Sequence, residues 1–227
     1  MALSQSTEDY LKVIYTLENE SEDNGVSTKE VASAMNVSAA SVTNMMKRLS
    51  EMGLVKYESY YGVQLTETGE KVALEVIRHH RLLELYLKEI LGYSWDQVHD
   101  EAENLEHHIS EQFEDKIAEL LNDPTHDPHG DPIPSKDGVM PEMAVYPLHE
   151  ADSEREYIIG RVKDQNPELL RYFEKIGIIP GVKVIIKKRE PFNGPITLQI
   201  EKREQIIGFD VAQNIYLVDD KESDTGE

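Results

Sequence analysis

Cysteine is absent from all 227 residues, which removes disulfide frameworks, iron–sulfur clusters, thiolate zinc sites and cysteine nucleophiles. Tryptophan occurs once, and aromatic residues make up only 7% of the chain. No apolar run approaches the roughly 18–20 residues that a membrane-spanning helix needs. Positive charge is scarce as well. Only 23 Lys and Arg face 44 Asp and Glu, giving a net charge of −21, and phosphate attraction supplies most non-specific nucleic-acid affinity. Met1 to Tyr10 has neither a basic n-region nor an apolar h-region, so no secretory signal is read and a cytoplasmic address is expected.

What is present is enough for a folded chain without membrane partners. Hydrophobic residues make up 39% and charged residues 30%, a composition that can bury a core and is unlike disorder. The length suits several small domains. The charge is also uneven. Between Val26 and Glu58, Lys29, Lys47, Arg48 and Lys56 outnumber Glu30, Glu51 and Glu58. A locally basic module is thus attached to a strongly acidic body, which suits cations.

That module has the pattern of three short helices and a hairpin. Tyr10, Ile14 and Leu17 share one face of a helix over about 7–20. Ser27 and Glu30 form a capping box ahead of Val31 and Met35, and 36–38 is a turn. A third helix over about 39–52 buries Val42, Met45 or Met46, and Leu49, with Gly53 as its stop. Alternating runs at 54–59 and 63–66 form a wing around Tyr60. The sum is a winged helix-turn-helix. The exposed side of the third helix carries Ser38, Ala39, Ser41, Thr43, Asn44, Lys47 and Arg48, small polar groups for base edges and cations for phosphates. A solvated helix in a protein adaptor is the blander alternative.

A long helix follows over about 68–91, ending at Gly92. A second is expected from a Ser94–Gln97 capping box to about 109, and a third over 110–121. Leu82, Leu83, Leu85, Tyr86, Leu87, Ile90 and Leu91 exceed one core-facing stripe, so an isologous homodimer is expected, the alternative being a larger monomer core. Residues 122–153, including "NDPTHDPHGDPIPS", cannot hold a regular helix. Short β-type runs at 157–162, 182–188, 196–200, 205–208 and 215–218, with a helix over 167–176, predict a small barrel. The fold class is mainly α with a small β part. Its divisions are a DNA-binding domain over 1–72, a helical domain over 73–142, a linker over 143–153, a barrel over 154–220 and an acidic tail over 221–227.

In "HDEAENLEHH", His99, Glu103, Glu106 and His107 fall at i, i+4, i+7 and i+8, within an arc of roughly 100° on one helix. His80 and Glu84 repeat the i, i+4 spacing. A lone His–Glu pair is usually a solvated contact, but six such residues on two helices point to a site for a divalent cation of the manganese, ferrous or zinc type. Asp9, in a first helical turn, reads on pattern alone as a dipole or capping residue. Neither a zincin motif, nor a phosphate-cradling loop, nor a Ser nucleophile with its base is present, so an enzyme is not expected.

The combination of "TEDYLKVIYTL", "SAASVTNMMKRLSEMGLV", "RHHRLLE", "HDEAENLEHH" and "DPHGDPIP" resembles the diphtheria toxin repressor family of metal-dependent transcriptional regulators. The resemblance implies an N-terminal winged helix, a helical dimerisation and metal domain, and a C-terminal SH3-like barrel. It also moves Asp9 into a primary site with Glu103, Glu106 and His107, with His80 close to both sites. A second site would use Glu84, His99, His129 and Asp127, with Asp164 as a barrel ligand. Iron-type members tend to carry Met and Cys where this chain has Asp9 and Glu103, and manganese-type members resemble it there. Two-domain manganese regulators have Glu where this chain has Lys12, which argues against their closely spaced binuclear site. The implied function is repression of metal uptake genes, with Mn²⁺ or Fe²⁺ as corepressor on double-stranded operator DNA and Zn²⁺, Co²⁺ or Ni²⁺ able to substitute in vitro. A metal-independent winged-helix regulator and a metal-binding hydrolase or buffer are the alternatives.

Overall fold

The computed structural model describes residues 3–20, 25–58, 61–163 and 166–219. The chain divides into two compact units, one of residues 1–80, 104–114 and 134–140 and the other of residues 81–103, 115–133 and 141–227.

The first unit begins with α1 (Gln5–Glu20), α2 (Thr28–Ala34) and α3 (Ala39–Glu51), followed by a hairpin of β1 (Val55–Glu58) and β2 (Gly62–Leu65). The expected capping box is formed: Ser27 Oγ accepts from Glu30 N, and Glu30 accepts from Ser27 N. Asn36 enters the turn at φ 52°, a left-handed value that Asn tolerates better than most residues. α3 buries Val42, Met46 and Leu49, which settles the choice between Met45 and Met46. These side chains pack with Tyr10, Leu11, Ile14, Val31, Val55 and Val63 in one core. Gly62, at φ +96°, has room for no Cβ, which would lie 2.6 Å from Val26 O. Val26 and Val63 exchange backbone hydrogen bonds there, so the hairpin is fastened to the segment before α2.

The remaining helices are α4 (Glu67–Glu89), α5 (Val98–Leu105) and α6 (Glu111–Leu120). α5 is shorter than its sequence pattern predicts. Residues 94–97 form a turn closed by Gln97 N on Ser94 O, with Trp95 drawn inward to 3% exposure, and the helix starts only at Val98. It also stops before Glu106. His108 N bonds Leu105 O, and the Glu106 carbonyl is met by His79 Nδ1 at 3.1 Å.

In the second unit the strands are β3 (Tyr146–Pro147), β4 (Glu156–Val162), β5 (Lys183–Arg189), β6 (Ile196–Ile200), β7 (Arg203–Ile207) and β8 (Ile215–Asp219). They form one antiparallel sheet in the order β3-β8-β4-β5-β6-β7, the C-terminal SH3-like domain. Between β4 and β5 runs α7 (Pro167–Ile176), capped by Asn166 and ended by Gly177 at φ 81°. The short α8 (Phe209–Ala212) precedes β8. β3 and α8 go beyond the elements that the sequence predicts, being too short to set up a periodicity. Alternating residues of β4, β5, β6 and β8 bury Tyr157, Ile159, Val184, Ile186, Leu198 and Leu217. Among the described residues no helix is long and apolar enough to cross a membrane.

Candidate metal centres and nucleic-acid interface

In the first unit α1 directs Asp9 toward the turn after α5, where Glu106 and His107 follow Leu105. His107 Nε2 lies 2.7 Å from Asp9 Oδ1 and 3.2 Å from Glu106 Oε1, and ligand atoms of the three residues lie within 4.8 Å of one another. Buried His107 Nε2 makes no hydrogen bond. On the other side of the ring Nδ1 is 2.6 Å from Glu8 Oε2. A ring that gives its Nδ1–H to Glu8 would turn an Nε2 lone pair toward Asp9 and Glu106, a donor set that suits a cation.

Glu106 is the anchor of this cluster. Its side chain is wholly buried, and Lys12 Nζ reaches its two oxygens at 3.0 and 2.9 Å. His80 Nδ1 lies 2.6 Å from Oε2. Burial pushes the carboxyl up, but the His80 hydrogen bond and the Lys12 charge outweigh it and leave its pKa below the usual value. A cavity of about 270 Å³ opens beside Glu8, Val76, His79, Glu106 and His107.

In the second unit Glu84, Asp127 and His129, all buried, form another compact group. His129 Nδ1 is 3.6 Å from Glu84 Oε2, and His99 Nδ1 is 3.2 Å from Glu84 Oε1. Asp127 Oδ1 accepts from the backbone N–H of His129 and of Asp131, at 2.8 and 2.9 Å, which fixes the loop by an Asx turn. Burial, with the charges of Asp131 and Glu84, drives the Asp127 carboxyl well above its ordinary value. His129 is shifted up as well: burial lowers it, but the hydrogen bond and charge of Glu84 prevail. A buried, sulfur-free donor set whose carboxyl resists ionisation fits a hard or borderline divalent cation.

The four residues that the spacing predicts on one helix face are therefore divided. His99 and Glu103 share a face of α5, with Nε2 and Oε1 3.9 Å apart. Glu106 and His107 leave that face because the helix ends at Leu105, and they belong to the unit that holds Asp9 and His80. Asp164 lies outside the described residues. Sequence reasoning passed over Glu8, hidden as an ordinary first-turn acid, and the proximity of Lys12 to Glu106.

On the third helix Ser38, Ala39, Ser41, Asn44, Lys47 and Arg48 are exposed and Thr43 is half-buried. Ser38 is the N-cap, accepting from Ser41 N, and its hydroxyl lies 2.9 Å from that of Ser41. Thr43 donates its hydroxyl to Ala39 O, so only acceptor capacity remains outward. Tyr60 lies outside the described residues.

The sequence matches three family models. They are described as the N-terminal DNA-binding domain of iron-dependent repressors over 2–63, the metal-binding and dimerisation domain of iron-dependent repressors over 66–135, and the FeoA domain over 146–219. The iron-dependent repressor IdeR of Mycobacterium tuberculosis is 29% identical over 222 residues, covering 90% of this chain and 92% of that protein. The regulator MntR of Oceanobacillus iheyensis is 37% identical over 118 residues, covering 52% of this chain and 78% of MntR. A solved structure described as a manganese-dependent transcriptional repressor in complex with manganese superposes with a TM-score of 0.84 at 39% identity, covering 94% of this chain and 99% of that one.

Proposed function

The chain belongs to the iron-dependent repressor family, and on that premise we propose that it is a repressor of metal uptake genes that binds operator DNA as a homodimer with Mn²⁺ or Fe²⁺ as corepressor. The observation that carries this reading is the meeting of Asp9, Glu106 and His107 around an imidazole nitrogen that makes no hydrogen bond. Asp9 lies in the segment matched as DNA-binding and the other two in the segment matched as metal-binding. Asp9, Glu106 and His107 would hold one ion, with His80 against Glu106. Glu84, Asp127 and His129 would hold a second, with His99 against Glu84. An ion supplies the positive charge that two facing carboxylates and a lone pair require. Lys12 meets part of that need at Glu106, and an ion shared by Asp9, Glu106 and His107 would tie α1 to the turn after α5.

The donor set favours Mn²⁺ or Fe²⁺ over softer ions, and Zn²⁺, Co²⁺ or Ni²⁺ would still bind in vitro. Ser38, Ala39, Ser41 and Asn44 stand where α3 can meet base edges, and Lys47 and Arg48 would take phosphates. Exposed Ile90, Leu91, Tyr93 and Leu120 supply apolar surface for a two-fold interface, and such dimers read bipartite operators. The place of action is the cytoplasm.

The test is fluorescence anisotropy on a promoter fragment from the protein's own gene neighbourhood, at fixed salt, in chelator and then with Mn²⁺ or anoxic Fe²⁺. Sequence-specific binding that needs the ion supports the reading, and the ion effective at lower concentration is the physiological candidate. Specific binding that persists in chelator, or none under any condition, overturns it.

A further inference from the structure

Trp95 is the only tryptophan in the chain, and it touches the second metal centre three times. Its ring stacks on the His129 imidazole, with centroids 5.4 Å apart and planes 20° from parallel. Its indole Nε1 donates to Pro128 O at 3.1 Å. Its own carbonyl oxygen lies 3.3 Å from His129 Nε2. Asp127, Pro128 and His129 are consecutive, so these contacts grip the stretch that carries two of the three ligands. The far side of that stretch is fixed too, because Val162 N donates to His129 O at 2.9 Å. Gly130 sits so close to Gly160 that a Cβ would lie 2.0 Å from its carbonyl oxygen.

We propose that Trp95 is a positioning residue that sets His129 as a metal ligand, its carbonyl taking the Nε2 proton so that Nδ1 carries the lone pair, and its indole holding the ring plane. This deepens the proposed second centre and rests on it. A histidine ligand commonly gives its other N–H to a fixed acceptor, and disturbing such an outer partner weakens metal binding by about 10–100-fold. The arrangement here adds a stacked ring to that acceptor. Nδ1 is the nitrogen that faces Glu84 Oε2, which is where a shared ion would lie. Trp95 also packs in the core of the sheet, and a filler role alone would call for no particular indole direction.

The experiment uses the full chain, with Mn²⁺ as the probe and binding at the two sites followed by equilibrium dialysis and by electron paramagnetic resonance of free Mn²⁺. In the wild type, quenching of tryptophan emission by Mn²⁺ follows the site beside the single indole, and His129→Ala should lose both that quenching and one bound ion. Trp95→Leu should weaken one of the two sites by about 10–100-fold and leave the other within twofold, whereas Trp95→Phe, which keeps a stacked ring, should recover part of the loss. Nitrogen-15 spectra of the metal-free wild type should show His129 protonated on Nε2. Two sites of unaltered affinity in Trp95→Leu would overturn the inference. So would equal weakening of both sites with a lowered melting temperature, which marks a core role. If His129→Ala keeps both ions, the second centre itself falls and the inference with it.

Discussion

The Lys12 ammonium lies 3.0 and 2.9 Å from the two oxygens of Glu106, a carboxylate with no solvent exposure. A tethered cation therefore already holds the group that a divalent ion would need. Lysine brings one charge and no lone pair when protonated, so it neutralises Glu106 without organising Asp9 or His107. Lys12→Met should lower the stability of the metal-free protein by about 2 kcal/mol, the scale of a charged hydrogen bond. It should also tighten metal binding at this centre by roughly tenfold, because the ion no longer competes with the ammonium. Thermal melts in chelator and calorimetric Mn²⁺ titration check both. Weaker metal binding in this variant would show that Lys12 supports the ion.

Glu8 acts on the same centre from behind. Its Oε2 lies 2.6 Å from His107 Nδ1, and by accepting the Nδ1 proton it would leave the Nε2 lone pair for the metal. Glu8→Gln removes the charge that favours this tautomer. Metal affinity at the centre should fall by about 10–100-fold with little change in fold, read by dialysis beside circular dichroism. An unaltered affinity would mean that His107 is oriented by packing alone.

Elements with a strong local cause were legible in the sequence. The Ser27–Glu30 capping box, the Asn36 turn and the Pro167 and Gly177 ends of α7 each follow from one or two residues and recur in the structure. The His, Asp and Glu residues of the candidate centres were legible too. The resemblance also set Asp9 beside Glu106 and His107, and Glu84 beside Asp127 and His129, as the structure does, whereas helix spacing alone put His99, Glu103, Glu106 and His107 on one face, because where α5 stops is decided by tertiary contacts such as His79 on the Glu106 carbonyl. Trp95 gave a similar miss: its burial replaces the expected first helical turn by a loop. Contacts such as Glu8 to His107 or Lys12 to Glu106 span more than ninety residues, and no local pattern encodes them.

Arg78, His79 and Glu114 form a buried ion network in the first unit. Glu114 pairs with Arg78 Nε and lies 3.2 Å from His79 Nε2. Burial raises its carboxyl, but the hydrogen bonds and charges of His79 and Arg78 prevail and bring its pKa down from 4.5 to about 2. A depressed carboxyl contributes stability that is present above the unfolded value and lost as pH falls through the folded one. The stability gap between wild type and Glu114→Gln should therefore be full above about pH 4.5 and close between there and about pH 2. Urea unfolding across that range measures it. Glu114→Ala, which leaves Arg78 with the Pro134 carbonyl but no anion, should cost about 3–5 kcal/mol at pH 7, and a gap that stays constant down to pH 2 would refute the ionic account.

Lys47 and Arg48 carry the last prediction, since their exposure on α3 beside small polar residues would let a chain of net charge −21 approach DNA. A bound phosphate releases condensed counterions, so it contributes to the slope of log affinity against log salt and little to the choice of sequence. Lys47→Ala should weaken binding to operator and to random duplex by similar factors, and should reduce the salt slope by about 1 for each phosphate that the lysine neutralises. Asn44→Ala should do the opposite, leaving the slope unchanged while narrowing the preference for operator by about 1–3 kcal/mol if Asn44 meets a base edge. Anisotropy titrations in saturating Mn²⁺ at several salt concentrations separate the two. If Lys47→Ala loses operator selectivity and keeps its slope, then Lys47 reads bases, and the division of labour along α3 must be redrawn.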